Sequence, residues 1–168
     1  MSRAKQSKTV KPSKSLYMAC AWFNDEQIAF MKAGYDKLKQ NATVAWDSSY
    51  RPLDHQYKGI NVEEHPEYLH DVEWSSRTFL SDVGGMNMAD VGVFLFNPKS
   101  PDIGMGFEIG YFYAIHKPLI IVVPDEEYDK EPINLMPALG ATAVIKLSDL
   151  SNYDFNAPFQ DTYTDAVY

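Results

Sequence analysis

The chain has 168 residues, 45% apolar and 14% aromatic, and a formal net charge of −8. That length suits one domain burying roughly 70% of its unfolded surface, and the composition excludes disorder for the bulk of the chain. The charge is uneven: Arg3, Lys5, Lys8, Lys11 and Lys14 sit in an acid-free stretch, leaving ten bases against 23 acids, about −13, beyond it. So acidic a body lacks the clustered Lys and Arg that phosphate backbones require, and no nucleic acid polymer is expected as a partner. The single cysteine, Cys20, excludes an internal disulfide and fits a reducing compartment, by default the cytoplasm. No apolar run has the length of a membrane span and the N-terminus has no apolar signal core, so no membrane partner is expected. Residues 1–14 read as a disordered basic tail and residues 15–168 as one domain.

In chain order, Ser15 to Cys20 reads as the first strand, running into the aromatic loop Ala21-Trp22-Phe23. Asn24 with Gln27 offers a helix cap, and Ile28, Met31, Tyr35 and Leu38 carry helical spacing to about Gln40, with Asn41 closing the helix. Thr43 to Trp46 predicts a short second strand. The stretch Asp47 to Pro66 is long for a compact domain and holds Tyr50, Leu53, Tyr57 and Ile60, which predicts an ordered wall or lid. Glu67 to about Asp82 reads helical, with Gly84-Gly85 ending or kinking it. Val91 to Phe96 predicts a buried third strand, Pro118 to Val123 a fourth and Thr142 to Ile145 a fifth, with an irregular tail over residues 151–168. Alternating strands and helices of this kind predict an α/β fold, doubly wound, with about five parallel strands.

The run Asp102-Ile103-Gly104-Met105-Gly106-Phe107-Glu108-Ile109-Gly110-Tyr111 carries the most chemical promise. It leaves the carboxyl end of the third strand, where open α/β sheets bind ligands, and opens a helix that carries Glu108. The bland reading is a capping Asp and a solvated Glu. Against it, Phe107 and Ile109 flank Glu108, while Gly106 and Gly110 make a smooth stripe suited to packing on a sheet. Other polar groups gather at the same predicted edge: Tyr17 and Trp22 at strand one, Asp54, His55 and Gln56 after strand two, and Asn134 after strand four.

His65 and His70 have the wrong spacing for two ligands on one helical face, and no cysteine pair assists, so no metal site is expected. Cys20 reads as a small buried residue. There is no phosphate-binding loop, and Gly104, Gly106 and Gly110 do not have dinucleotide-fingerprint spacing, so no cofactor is expected. Paired acids among aromatics and amides point instead to glycosidic-bond chemistry, one carboxylate attacking an anomeric carbon while another group moves a proton. A helix dipole would help Glu108 stay ionised.

The chain resembles the nucleoside 2-deoxyribosyltransferases, close to the broad-specificity type of lactic acid bacteria, from about Leu16 to Tyr168. The carriers are Tyr17 with Ala21-Trp22-Phe23, Pro52-Leu53-Asp54-His55-Gln56-Tyr57-Lys58-Gly59-Ile60, His65 to Asp71, Asp82, the Asp102 to Tyr111 run, Pro132 to Met136 and the terminal Ala166-Val167-Tyr168. The resemblance implies a flavodoxin-like sheet with helices on both faces, and a homohexamer, a trimer of dimers, with shared active sites. It implies transfer of 2-deoxyribose from a 2′-deoxynucleoside to a free nucleobase, purine or pyrimidine, with retention and through a covalent sugar on Glu108. Asp82 matches the acid that handles the base proton, Gln56 a base-site residue, and Asp102 the group on the sugar hydroxyls. Asn134 matches a 5′-hydroxyl contact from a neighbouring subunit, with Met136 beside it. Tyr17 and Tyr168 match groups that hold the nucleophile, and Trp22 joins the substrate-binding set. The alternatives are an N-glycosidase that gives the sugar to water and a nucleoside-binding module without turnover. The chain departs from the family pattern in its basic extension, at Phe79-Leu80-Ser81 and at Asn97 to Pro101, positions that bear on base preference.

Overall fold

The computed structural model describes residues 13–168. The first twelve residues of the expected tail lie outside them, while Lys14 is already paired through its backbone with Thr43 and Ala45 at 2.8 Å each. The elements are β1 (Leu16–Cys20), α1 (Asp25–Gln40), α2 (Val72–Met88), β2 (Val91–Leu95), α3 (Ile103–Ala114), β3 (Leu119–Val123), α4 (Leu135–Gly140) and β4 (Ala143–Lys146). The four strands form one parallel sheet in the order β1-β2-β3-β4.

Five strands were expected and four are found. The segment predicted as the second strand touches β1 only through isolated bridges, Lys14 to Val44 and Tyr17 to Tyr50. Between them the chain makes a tight turn over Trp46–Ser48. The cause is the short polar run Asp47-Ser48-Ser49. Ser48 and Ser49 bond back to the Ala45 carbonyl, and the Ser49 hydroxyl takes the Leu16 N–H at 3.0 Å, a place that a strand carbonyl would fill. The interrupted edge still passes outside β1, and the chain then returns to β2 on the other side of β1. Such a reversal opens a crevice at the carboxyl ends of the strands.

Every residue of β1, β2 and β3 is buried, as in a parallel sheet covered on both faces. Leu16, Met18 and Cys20 face a core shared with Leu38 of α1 and with Leu150 and Phe155. Tyr17 and Ala19 face the opposite core, built with Met86, Met105, Ile109, Phe112 and Ala138. On this side Gly92 is required: a Cβ there would stand 2.6 Å from Phe94 and 3.0 Å from Phe112, so its absence lets α3 approach the sheet.

Two helix readings change. A single turn over Pro66–His70 comes first; α2 proper starts after Asp71, whose carboxylate caps the Trp74 N–H at 2.8 Å. It does not stop at Gly84-Gly85 but runs to Met88. Gly85 serves a close contact instead, since a Cβ there would meet the Tyr50 ring at 2.5 Å. Nor do Gly106 and Gly110 pack on the sheet. Met105, Ile109 and Phe112 take that face of α3, and the glycines look outward.

Asn41, the predicted helix stop, does more than close α1. Its amide donates to the Leu150 and Tyr153 carbonyls at 2.9 and 2.8 Å and its oxygen accepts from the Thr43 N–H and hydroxyl at 2.9 and 2.7 Å. One buried side chain thus ties α1, the interrupted edge and the C-terminal segment. Asn41→Ala strands buried donors and acceptors and should cost about 2–4 kcal/mol. A denaturant midpoint equal to that of the parent would contradict this.

Candidate active site

Glu108 lies in the second turn of α3, whose first turn is capped by Asp102 accepting from the Gly104 N–H at 3.1 Å. The Tyr17 side chain leaves the second residue of β1 and donates its hydroxyl to Glu108 at 2.5 Å. Tyr17 is wholly buried between Tyr50, stacked at 5.5 Å, and Phe112 at 5.8 Å, so its hydroxyl has one fixed position. Burial pushes the Glu108 carboxyl up to about 7; the Tyr17 hydrogen bond pulls it back, and Asp82 and Asp102 push it further up. The dipole expected to favour ionisation therefore loses to desolvation, because it weakens beyond the first turn. Burial and the Glu108 charge also hold the Tyr17 phenol far above its usual range, so it remains a donor.

Asp82 comes from α2. The Tyr50 hydroxyl donates to its Oδ1 at 3.0 Å and lies 2.8 Å from the Ser81 hydroxyl. Burial pushes Asp82 up to about 6, while Tyr50 and His55 pull it down. Two raised carboxyls thus lie in one site, and the charge of Asp82 acts on Glu108. Such a pair supports a division of labour between one ionised and one protonated acid.

The remaining candidates fall into separate groups. Gln56, 8% exposed, accepts from the Val62 N–H at 3.1 Å and lines a cleft of about 250 Å³ with Trp22, Met31 and Leu53. Asp102 borders a narrow recess with Ala21, Asn97 and Ser100. Asn134 caps α4 through the Met136 N–H at 3.1 Å, and Met136 is 75% exposed. Tyr168 is pinned beside them by backbone bonds to Ile133 and Leu135, its side chain 61% exposed. So Glu108, Tyr17 and Asp82 are brought together, with Asp102 near enough for its charge to act on Glu108, and so are Trp22 and Gln56. Asn134, Met136 and Tyr168 form a third group, and among the described residues the hydrogen bond to Glu108 comes from Tyr17. Burial pushes the Cys20 thiol up to about 12, which leaves it a poor nucleophile.

Tyr50 is the residue that sequence reasoning placed only in a wall. Its position directly opposite Tyr17 depends on the interrupted edge. The one available signal was an aromatic four residues past the segment predicted as the second strand.

The sequence model of the nucleoside 2-deoxyribosyltransferase family matches residues 16–136. The nucleoside deoxyribosyltransferase of Lactobacillus leichmannii is 43% identical over 157 residues, covering 94% of this chain and 99% of that protein. That of Lactobacillus johnsonii is 44% identical over 147 residues, covering 88% and 98%. In fold, the chain is similar to the 2-deoxyribosyltransferase of Bacillus psychrosaccharolyticus, with a TM-score of 0.72 at 22% identity over 89% of this chain and 99% of that one. The family match begins at the strand that supplies Tyr17 and spans the helices that supply Asp82 and Glu108, and full-length relatives agree with it: this chain belongs to the nucleoside 2-deoxyribosyltransferase family.

Proposed function

We propose that the protein moves the 2-deoxyribosyl group between purine and/or pyrimidine bases by a retaining double displacement through a covalent deoxyribosyl-Glu108 intermediate. The observation that carries this reading is the half-buried Glu108 carboxyl held at 2.5 Å by Tyr17, with a second acid, Asp82, that burial pushes up to about 6, nearby. Glu108 attacks C1′ as the C1′–N bond breaks, and that bond's electron pair leaves on the base. Asp82 gives the departing base its proton. A second base then loses a proton to Asp82, attacks C1′ and expels Glu108; two inversions amount to retention. A 2-deoxy sugar suits this chemistry, because without an electron-withdrawing 2′-hydroxyl it reaches an oxocarbenium-like state more readily.

In this reading Gln56 and Trp22 contact the base, Asp102 the sugar hydroxyls, and Asn134 with Met136 the 5′ end of the sugar in a neighbouring subunit's site. Tyr168 then steadies the nucleophile from outside its own chain's pocket. Among the described residues none of Asn134, Met136 and Tyr168 is hydrogen-bonded to Glu108, which fits shared sites in a hexamer. So does the apolar outer face: Phe79 and Phe107 are 53% and 54% exposed with rings 6.0 Å apart across α2 and α3. Beyond them an apolar groove of about 370 Å³ runs past Gly106, Gly110, Leu135 and Leu139. Unpartnered apolar surface on this scale marks an association face.

The direct test is incubation with a 2′-deoxynucleoside, with and without a second free base. New nucleoside that appears only with the acceptor is expected; equal base release in both arms would mean hydrolysis. Glu108→Ala should lower the rate by at least ~10³, and an undiminished variant would remove Glu108 from the role. The rate should also be bell-shaped in pH around a maximum between about 6 and about 7, where a minor population has Glu108 ionised and Asp82 protonated; lower pH depletes it by protonating Glu108 and higher pH by stripping Asp82. A flat profile across that span would count against the pair. Finally, Glu108→Ala and Asn134→Ala chains, each impaired alone, should recover activity when assembled together, because a mixed site can draw Glu108 and Asn134 from different chains. Extending the chain beyond Tyr168 should impair turnover with the fold intact, as judged by circular dichroism; normal kinetics would exclude a role for the C-terminus.

A further inference from the structure

Tyr50 is wedged between the two acids without belonging to either helix. Its backbone is locked to β1 on both sides, with its N–H bonded to the Leu16 carbonyl at 2.7 Å and its carbonyl accepting from Met18 at 2.9 Å. Its ring stacks on Tyr17 at 5.5 Å and 9° on one side and on His55 at 4.1 Å and 23° on the other. Gly85, one turn beyond Asp82, gives that ring its room: any Cβ there would stand 2.5 Å from it. The hydroxyl then reaches Asp82 at 3.0 Å and Ser81 at 2.8 Å. The ring that steadies the nucleophile's donor is therefore the ring whose hydroxyl holds the second acid.

Resting on the transfer chemistry proposed above, we infer that Tyr50 is a positioning residue for Asp82, fixing its carboxyl relative to the Tyr17–Glu108 pair. Without this phenol, Asp82 loses the donor that orients it, and proton delivery to a departing base depends on that orientation. Burial holds the Tyr50 phenol above its usual range, so it keeps its proton and donates throughout. The titratable groups that face Asp82 are Tyr50 and His55 from the segment after the interrupted edge, with Tyr17 from β1 and Glu108 from α3 feeling its charge. Of these, Tyr50 is the one bonded to it, and that bond favours the ionised form. Its removal makes the carboxyl harder to ionise, so the loss of rate at high pH moves upward.

The test measures release of free base from a 2′-deoxynucleoside across pH for the parent, Tyr50→Phe, Tyr50→Leu, Ser81→Ala and Gly85→Ala. Tyr50→Phe keeps the stack and should lower kcat by about tenfold with KM changed less than about twofold, and move the high-pH limb upward. Tyr50→Leu should be worse and Phe should rescue part of it. Gly85→Ala should reproduce the Phe phenotype with the phenol still present, because it displaces the ring. Ser81→Ala should leave the limb in place, since the bond to Asp82 survives. A Tyr50→Phe enzyme with parental kcat and an unmoved limb overturns the inference. Base release registers whether the sugar passes to a second base or to water, so hydrolysis by the parent would sink the transfer reading and still let Tyr50 be judged. No base release from the parent at all would sink both.

Discussion

The hydrogen bond from Tyr17 to Glu108 is the constraint around which the site is built. A carboxylate that is to attack carbon must be ionised, accessible and fixed, and burial opposes the first of these. Desolvation raises Glu108 to about 7 even with the phenol donating to it. Without that donor the acid would be harder still to ionise. The hydrogen bond thus opposes the effect of burial without cancelling it.

Everything that fixes the phenol lies in the sheet. β1 carries Tyr17, β2 contributes Gly92 opposite it, and Phe112 of α3 fills the space that Gly92 leaves. The interrupted edge outside β1 places Tyr50 flat against Tyr17, and α2 presents Asp82 and Gly85 to Tyr50 on one face. Two acids on two helices are therefore referenced to the same strand. A helix shift that moved one acid would have to disturb the stacked rings that also set the other.

Much of this was readable in the residues. Purely apolar runs such as Leu119 to Val123 can only be covered strands, and Asn24, Asn41 and Asp102 sit where helix caps must. The Asp102 to Tyr111 run stood out as a candidate because an acid among glycines and large apolar residues has few bland explanations. The failures share a cause. Periodicity reports what one segment wants, whereas the lost fifth strand, the unbroken α2 and the outward Gly106 and Gly110 depend on a partner distant in sequence. Ser49 takes a ladder donor from Leu16, 33 residues away, and Gly85 is defined by the ring of Tyr50. Tyr50 itself was hidden for the same reason, since its neighbours Tyr17 and Asp82 lie 33 and 32 residues from it in opposite directions.

The central claim is that Glu108 becomes covalently linked to the sugar. Mixing the protein with a 2′-deoxynucleoside in the absence of acceptor, quenching in acid and mapping peptides by mass spectrometry tests it most directly. The account predicts one deoxyribosyl group on the peptide that contains Glu108, lost when a free base is added before quenching. Base release with no adduct, or with the adduct on any other residue, would contradict it.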